Sequence, residues 1–297
     1  MELFGFKFRA LGCENELQLY ANSVSRAREL AQLAIEETLR IERKYSAFLE
    51  ESVISEICRS SGKYSVELDD ETASLIDYAA VCFEQSEGLF DITSGPLIKL
   101  WDFKKKVIPN QSEIDLAKEV CGFKKLQRVN RNLIHLSIEG MEINLGGLGK
   151  EYAVDRAATL LSKNGITNGL INFGGDLRAV GPHLDGSPWQ IGVAHPRKIG
   201  SVLCTMPLSY GGFASSGDYE RFFEIGGKRY CHIINPLTGY PVNGLQSVTV
   251  IADNCLSAGT LSTIAMLVGE KQAREILEDQ TYLIVDGRGE QLFGGFR

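Results

Sequence analysis

The sequence of 297 residues lacks the patterns of several large classes of protein. No run approaches the ~20 apolar residues of a membrane-spanning helix, so we expect no membrane span. Its 38 Asp and Glu outnumber its 31 Lys and Arg, and the net charge of −7 leaves no basic surplus for binding nucleic acid. An anionic ligand would therefore have to be held by local donors or by a bound cation.

The cysteines lack the pairing patterns of disulfide and zinc proteins. There are seven of them, an odd number, and none forms a CxxC pair. The chain has only four histidines, without an HExxH sequence or a spaced Cys/His cluster. We interpret the cysteines as reduced thiols that pack as small apolar side chains.

The first residues lack the basic-then-apolar order of a secretory signal, and Cys13 follows polar neighbours rather than a lipoprotein-type cleavage site. We therefore expect a cytoplasmic protein, or a periplasmic one if a leader was removed.

What the chain does contain is 44% hydrophobic residues, which suffices for a large core. Residues 14–21 alternate between polar and apolar, as a half-buried strand does. Apolar residues at three- and four-residue spacing predict a helix from Ala27 to Ser46. Periodicity with start and stop residues predicts further helices over 70–87, 151–164 and 258–279.

Residues 166–252 are different, because short apolar runs there are separated by Gly, Pro and Asp turns. This pattern predicts antiparallel sheet. Without a linker or a break in composition, the chain is predicted to form one α+β domain over 1–297. Strands followed by a helix in each half could indicate an internal duplication.

The strongest local signal is the glycine-lysine turn, Gly146–Lys150, between the strand-like run Ile143-Asn144-Leu145 and a helix-like run. Glycines, a helix N-terminus and a lysine together suit a phosphate group. The turn fits neither the P-loop, which needs Ser or Thr where Glu151 stands, nor GxGxxG. An ordinary strand-to-helix turn therefore stays an open alternative.

Three other segments combine glycine with polar residues, and each has a structural alternative. Residues 88–97 read equally as a helix stop and turn. The segment from Ser215 to Pro241 predicts a hairpin with a tight turn at Pro236–Gly239, where His232 is either a base or a packed polar residue. The hydroxyls of 257–263 either cap a helix or bind a hard cation such as Mg²⁺.

In this order along the chain, five motifs resemble those of the ApbE-type FAD:protein FMN transferases, and the similarity covers nearly the whole sequence. Each is weak alone, but five in register identify the chain as a member of that family. They are Leu11-Gly12 (Met-Gly in the family), Phe90 to Leu97 (FD-x-T-x-G-P-L), Asn144 to Asp155 (D-L-G-G-x-x-K-G-Y-A-V-D), Asn172 to Asp176 (N-x-G-G-N/D) and His232 to Pro241 (H-I-I-D-P-x-T-G-x-P).

The resemblance implies an ApbE-like, T-fold-like α+β domain and a reaction that uses FAD and Mg²⁺. A Ser or Thr hydroxyl of an acceptor flavoprotein would attack the FMN-side phosphorus of FAD, and AMP would leave. A metal and a positioned lysine would neutralise charge on the pyrophosphate.

The resemblance also implies roles for individual residues. Lys150 and His232 would be catalytic. The metal would be bound by the Gly147 carbonyl and by the hydroxyls of Ser262 and Thr263. The residues that would contact FAD are Leu11 and Phe48 near the adenine or ribose, Leu89, Phe90 and Asp91 along the cleft, and Asn144, Lys150, His232 and Ile233.

The chain departs from the family pattern at acidic positions. Gly259 stands where the family has a metal-binding aspartate, and Asn144 and Asn235 each replace a usual aspartate. Loss of a carboxylate should weaken Mg²⁺ binding unless another acid takes its place. Near the motifs, the candidates are Asp91, Asp176 and Asp218, and Glu151 adds an acid after the lysine in a direction that the sequence does not fix.

These departures leave three functional alternatives. The first is a flavin transferase with an altered set of metal ligands. The second is an FAD-binding protein that has lost the transfer chemistry, as Gly259 suggests. The third uses water as the acceptor and is an FAD pyrophosphatase that gives FMN and AMP.

Overall fold

A computed structural model describes residues 1–295, so the last two residues of the predicted domain lie outside the described part. The strands are β1 Glu2–Ala10, β2 Cys13–Ala21, β3 Val66–Glu67, β4 Leu126–Asn130, β5 Leu133–Leu136, β6 Gly169–Phe173, β7 Asp176–Gly181, β8 Trp189–Ala194, β9 Val202–Leu208, β10 Gly211–Gly217, β11 Phe222–Ile225, β12 Lys228–Cys231, β13 Leu245–Ala252, β14 Thr281–Asp286 and β15 Gln291–Gly294. The α-helices are α1 Val24–Tyr45, α2 Val53–Arg59, α3 Asp70–Gln85, α4 Gly95–Leu100, α5 Gln111–Glu119, α6 Gly149–Lys163, α7 Cys255–Val268 and α8 Glu270–Ile276.

An eight-stranded antiparallel sheet in the order β1-β2-β6-β7-β10-β13-β14-β15 is the centre of the fold. Apart from inserted elements, the two halves of the fold have the same order along the chain. Two strands of this sheet are followed by two helices and then by two more strands of the sheet: β1-β2-α1-α6-β6-β7 and β10-β13-α7-α8-β14-β15. The fold class predicted from the sequence, α+β with a mainly antiparallel sheet, is confirmed. The repeated order of elements agrees with the predicted internal duplication.

The two faces of the sheet are covered differently. Leu17 and Leu19 of β2 and Phe173 of β6 pack with α1 and α6 in the main hydrophobic core. On the opposite face, Leu170 and Phe213 pack with the β8–β9 hairpin through residues such as Trp189. Alternate residues of one strand thus enter different cores, as the two-residue period of a strand requires.

The first helix matches its prediction closely. Ser23 caps the helix by accepting the N–H of Arg26. The residues at three- and four-residue spacing are buried: Ala27, Leu30, Ala31, Ala34, Thr38 and Ile41. The prediction for 70–87 is also confirmed, because the Asp69 side chain accepts the N–H of Thr72 and the helix ends before Gly88, whose φ is +88°. The strand over 14–21 and the helix over 151–164 are present as β2 and α6.

The segment between α1 and α6 packs against the main core, and its α4 and α5 also pack with Phe223 and Ile234. It contains helices α2 to α5 and a small sheet in the order β3-β5-β4. Its Ile134 and Leu136 are buried in the main core. No helix among residues 1–295 is long and apolar enough to cross a membrane.

Three sequence predictions are wrong in part. The helix predicted over 258–279 is two helices, because Gly269 adopts φ +82° and ends α7. The run Ile143–Leu145 forms no strand, and its backbone is bonded instead to other loops, such as Asn144 N–H to the Ile92 carbonyl at 2.7 Å. In the segment 215–241, the strands that pair with each other are β11 and β12. The predicted tight turn at Pro236–Gly239 is present, but only an isolated bridge between Ile234 and Pro241 and a few backbone hydrogen bonds, such as Asn235 N–H to the Tyr240 carbonyl at 2.9 Å, close it.

Asp155 of α6 joins this helix to the start of α7. Its carboxylate accepts the N–H groups of Cys255 at 2.9 Å and Leu256 at 2.8 Å. Since these N–H groups belong to the first turn of α7, the carboxylate also lies at the positive end of the helix dipole. This contact fixes the relative position of the two helices that carry the candidate site.

We predict that Asp155→Asn destabilises the protein, because one buried N–H would lose its charged acceptor. The expected decrease in the free energy of unfolding is about 1–3 kcal/mol. Urea unfolding followed by circular dichroism measures it. Asp253→Asn, at an exposed position beside α7, is the control and should change the value by less than about 0.5 kcal/mol. Equal midpoints for both variants would contradict the role of Asp155.

Candidate functional site

The glycine-lysine turn leads directly into α6. Leu148 precedes the helix without any side-chain cap, so the N–H groups of its first turn are not bonded to a capping side chain. The Asn144 side-chain oxygen accepts the N–H of Gly146 at 2.6 Å and shapes the turn. An aspartate at 144 could accept the same hydrogen bond, so the asparagine retains this structural contact.

The segment 90–97 lies against this turn. A Cβ atom on Gly147 would lie 3.5 Å from the Phe90 ring, so the ring covers this glycine. Asp91, however, is engaged in its own loop: its carboxylate accepts the N–H and hydroxyl of Thr93 at 2.7 and 2.6 Å and the N–H of Phe123 at 3.0 Å. Asp91 therefore holds the loop in shape, and Phe90 forms the contact with the turn.

Lys150 forms an ion pair with Asp176, with 2.7 Å between Nζ and the carboxylate oxygen. Burial by itself would lower the lysine pKa, but the Asp176 and Glu151 carboxylates raise it well above its usual value. Lys150 is therefore a fixed positive charge at the start of α6.

The position of Asp176 depends on the hairpin between β6 and β7. Its two turn residues, Gly174 and Gly175, have φ values of +59° and +96°, which favour glycine. A Cβ atom on Gly174 would lie 2.9 Å from the Cys13 sulfur. The hairpin thus approaches the β1–β2 turn closely and places Asp176 beside Lys150.

Glu151 is buried, with 8% of its surface exposed. Its Oε2 atom has no hydrogen-bond partner among the described residues. Burial, together with the nearby Asp176 charge, raises the pKa of Glu151 above its usual value, and Lys150 opposes the change. The carboxylate is directed at α7, where a Cβ atom on Gly259 would lie 3.1 Å from Oε1.

Hydroxyl groups of α7 and β10 lie beside Gly259. Ser262 donates its hydroxyl hydrogen bond to the Gly259 carbonyl at 2.9 Å. The Ser216 hydroxyl lies 2.8 Å from that of Ser262 and 3.0 Å from that of Thr263. Thr260, by contrast, pairs with Tyr78 at 2.8 Å, away from this cluster.

His232 is largely buried in the segment that follows β12. Its Nδ1 atom has no hydrogen-bond partner among the described residues. Burial, with the charges of Arg221 and Lys150, lowers the pKa of His232 to about 4, so the imidazole is neutral at pH 7. The adjacent Ile233 is buried.

The remaining predicted contact residues lie in three places. Leu11 belongs to the β1–β2 turn, has φ +56° and donates its N–H to Glu42 at 2.6 Å. Leu89 precedes Phe90 and is half-buried. Phe48, in the loop after α1, is 96% exposed.

The structure distinguishes between the three aspartates that the sequence left as equal candidates for the missing carboxylate. Asp218 is paired with Arg197 at 2.6 and 2.7 Å through both of its oxygens. Asp91 is bound within its loop, as described above. Of the three candidates, only Asp176 lies beside Lys150. Ser216 lies in the polar segment from Ser215 to Pro241, but sequence reasoning gave it no role, because a serine inside a strand carries no motif signal.

The chemistry of the donor atoms fits a hard divalent cation. Within residues 1–295, no group of three or more His, Cys, Asp or Glu side chains is arranged to hold a metal. The donors here are mixed oxygens instead: the unpartnered Glu151 carboxylate, the Ser262 and Thr263 hydroxyls, and the predicted Gly147 carbonyl. Mg²⁺ prefers such oxygen ligands.

Two concave regions lie elsewhere. A cavity of about 580 Å³ is lined by residues including Ala158, Arg178 and Tyr210. Another of about 270 Å³ lies around Arg197, Asp218 and Arg229. Neither contains Lys150, Glu151 or His232, so neither is the site built around the glycine-lysine turn.

Comparisons with known proteins show which family the chain belongs to. A profile described as the ApbE family matches residues 11–285. The chain is 31% identical over 242 residues to the FAD:protein FMN transferase of Vibrio cholerae, covering 78% of this chain and 71% of that protein. It is 30% identical over 278 residues to the protein of the same name from Haemophilus influenzae, covering 89% and 80%. For the Escherichia coli K12 protein of that name, the match of 33% over 202 residues covers 65% of this chain and 58% of that protein.

Solved structures extend the similarity to the whole fold. The ApbE protein of Thermotoga maritima has a TM-score of 0.90 and 33% identity, with 99% of this chain and 97% of that chain covered. Flavin transferase ApbE from Vibrio cholerae, at 23% identity, shares the fold with a TM-score of 0.88, with 99% and 98% covered. With a family profile that matches most of its length, this chain belongs to the ApbE family.

Proposed function

We propose that the protein is an FAD:protein FMN transferase. The oxygen of a Ser or Thr hydroxyl on an acceptor flavoprotein forms a new bond to the FMN-side phosphorus of FAD. The bond from that phosphorus to the bridging oxygen breaks, AMP leaves with that oxygen, and the hydroxyl proton passes to a base. The observation that supports this proposal is that Lys150 and Glu151 begin α6 without a side-chain cap, and that Glu151 lies against Gly259, whose carbonyl accepts the Ser262 hydroxyl.

The start of α6 is suited to the pyrophosphate of FAD. Its first-turn N–H groups and the helix dipole favour an anion, and Lys150 adds a full positive charge that Asp176 holds in position. Binding by such fixed donors costs little reorganisation during the reaction. The same two features explain how a chain with net charge −7 can bind a dianionic ligand.

Mg²⁺ would be held by the Gly147 carbonyl and by the hydroxyls of Ser262 and Thr263, with an acid beside them. Bound there, it would neutralise charge on the pyrophosphate oxygens. Ser216 orients both hydroxyls through its hydrogen bonds at 2.8 and 3.0 Å.

His232 is the proposed base. Its neutral imidazole and unpartnered Nδ1 can accept the proton of the attacking hydroxyl. The charge of Lys150 contributes to the low pKa, which places the two groups in one electrostatic environment. In a neutral imidazole one ring nitrogen is a donor and the other is an acceptor.

The flavin and adenine ends would lie along the segments that flank this centre. The proposed contacts are Leu11 and Phe48 at the adenine or ribose, Leu89, Phe90 and Asp91 along the cleft, and Asn144 and Ile233. Of these, Phe90 and Asn144 already contact the glycine-lysine turn. FAD would cover apolar surface such as the exposed ring of Phe48.

An acceptor flavoprotein is the proposed partner, and the cytoplasm is the proposed compartment.

The transfer reaction is the first test. Incubation with FAD, Mg²⁺ and an acceptor domain that carries a target Thr should give a fluorescent flavinylated band and one AMP for each labelled acceptor. FMN without labelled protein would identify a pyrophosphatase instead. Bound FAD without AMP would identify a binding protein, and either result would refute the transferase, provided that a control enzyme labels the same acceptor.

The base is tested by His232→Gln. Loss of general base catalysis should lower kcat about 10²- to 10⁴-fold while the KM for FAD changes little. Single-turnover measurements of AMP release separate the chemical step from binding. A variant with wild-type kcat would show that His232 is not the base.

The pH dependence gives an independent prediction. Because the pKa of His232 is lowered to about 4, the base stays unprotonated, and transfer should persist, as the pH falls from 7 to about 5. The rate should decline only as the pH approaches 4, whereas a histidine with an ordinary pKa of about 6.5 would lose activity two units earlier. A profile of kcat against pH, with the acceptor shown to remain folded, decides between the two.

A further inference from the structure

We propose that Glu151 of α6 supplies the carboxylate ligand of a divalent cation site between α6 and α7, replacing an acid on α7 itself. Taking the cation to be Mg²⁺ rests on the proposed transferase function. The placement of the ligand rests on the geometry of Glu151, Gly259 and the neighbouring hydroxyls.

The first observation is a buried carboxylate oxygen without a partner. Only 8% of the Glu151 surface is exposed, and Oε2 makes no hydrogen bond with the described residues. Buried charged groups in folded proteins are paired, hydrogen-bonded or bound to metal, because burying them alone costs several kcal/mol. Asp155 and Asp218, which are also largely buried, have both oxygens bonded to N–H groups. Glu151 differs from them and has one oxygen available for a ligand.

The second observation is the direction of this side chain. A Cβ atom on Gly259 would lie 2.5 Å from the Cγ of Glu151 and 3.1 Å from its Oε1. Real Cβ atoms essentially never approach other atoms to 2.5 Å, so Glu151 occupies the space that any side chain at 259 would need. One acid from α6 therefore fills the position that an acid on α7 would reach.

The third observation is the set of oxygen donors on the next turn of α7. Ser262 and Thr263 follow Gly259 by three and four residues, which places them on the same side of the helix. Ser216 bonds both hydroxyls, and Ser262 also donates to the Gly259 carbonyl. A hydroxyl that donates its hydrogen elsewhere keeps lone pairs for a cation. Carboxylate and hydroxyl oxygens select a hard cation of the Mg²⁺ or Mn²⁺ type.

The arrangement of charged groups is compatible with a cation beside Glu151. Two buried carboxylates, Asp176 and Glu151, share the single positive charge of Lys150, which lies 2.7 Å from Asp176. Lys150 therefore serves mainly Asp176. A divalent ion beside Glu151 would balance the second carboxylate, whereas an aspartate added at 259 would increase the repulsion.

The test uses Mn²⁺ as the probe, with the full chain and without any transfer assay. Crystals soaked with Mn²⁺, with and without FAD, should show an anomalous peak roughly 2.0–2.3 Å from a Glu151 carboxylate oxygen. Electron paramagnetic resonance of free Mn²⁺ gives the Kd in solution. Absence of Mn²⁺ binding under both conditions, or a peak that Glu151 does not contact, overturns the proposal.

Glu151→Gln is the decisive variant because it keeps the shape of the side chain and removes its charge. Outer partners of metal ligands contribute about 10- to 100-fold to metal affinity, so loss of a ligand should raise the Kd for Mn²⁺ by at least that factor. The matched control is Glu37→Gln on α1, whose carboxylate is held by Arg40 and Arg156. The control should keep the wild-type Kd, and a wild-type Kd for folded Glu151→Gln would overturn the proposal.

A reciprocal exchange tests the shared space directly. Glu151→Gly should lose Mn²⁺ affinity, and Gly259→Asp alone should bring two carboxylates into conflict and lower the melting temperature. The double variant Glu151→Gly with Gly259→Asp should recover the wild-type melting temperature. It should also bind Mn²⁺ with a Kd within about threefold of the wild-type value. If the double variant binds no better than Glu151→Gly, the two positions do not provide one ligand and the inference fails.

These results are separable from the proposed function. Mn²⁺ bound by Glu151 without flavin transfer would refute the transferase and leave the cation site in place. Flavin transfer with Mn²⁺ bound away from Glu151 would support the transferase and refute Glu151 as the ligand.

Discussion

The site depends on one electrostatic constraint: two buried carboxylates, Asp176 and Glu151, lie beside one lysine at the start of α6. Burial disfavours each charge separately, so the arrangement persists only because the charges are close together and the surrounding backbone is fixed. Lys150 satisfies Asp176, and the second carboxylate keeps one oxygen without a hydrogen-bond partner. This imbalance supports the proposed cation site, through which an anionic ligand would bind.

The fold brings these groups together from distant parts of the chain. Lys150 and Glu151 begin α6, Asp176 begins β7 after a two-glycine turn, and Ser262 and Thr263 lie on α7 of the second half of the sheet. Asp155 ties α6 to the N-terminus of α7 through two backbone hydrogen bonds. Since a displacement of about an ångström can strongly reduce a catalytic rate, the structural contact of Asp155 also matters for the proposed chemistry.

Much of the fold could be predicted because the relevant signals are local. The periodicity of α1, the Asp69 cap of α3 and the alternation of β2 each reflect interactions within a few residues, and the structure confirms them. The errors occurred where a distant contact or one backbone angle determines the local secondary structure. Gly269 breaks a helix that is otherwise continuous in its apolar pattern. Ile143–Leu145 has the composition of a strand, but its backbone bonds to the 90–97 segment rather than to a sheet.

The sequence by itself determined the family, the α+β class and the polar segments that would meet, because motif order and hydrophobic period are properties of the chain alone. It also showed a glycine at position 259, where the family has an aspartate. Only the tertiary structure decided how the other acids are used: Asp91 and Asp218 are bound by their own neighbours, and Glu151 turns toward Gly259. The direction of a side chain and the space that it fills depend on the packing of α6 against α7, about 100 residues apart in the sequence, and no local pattern encodes that packing.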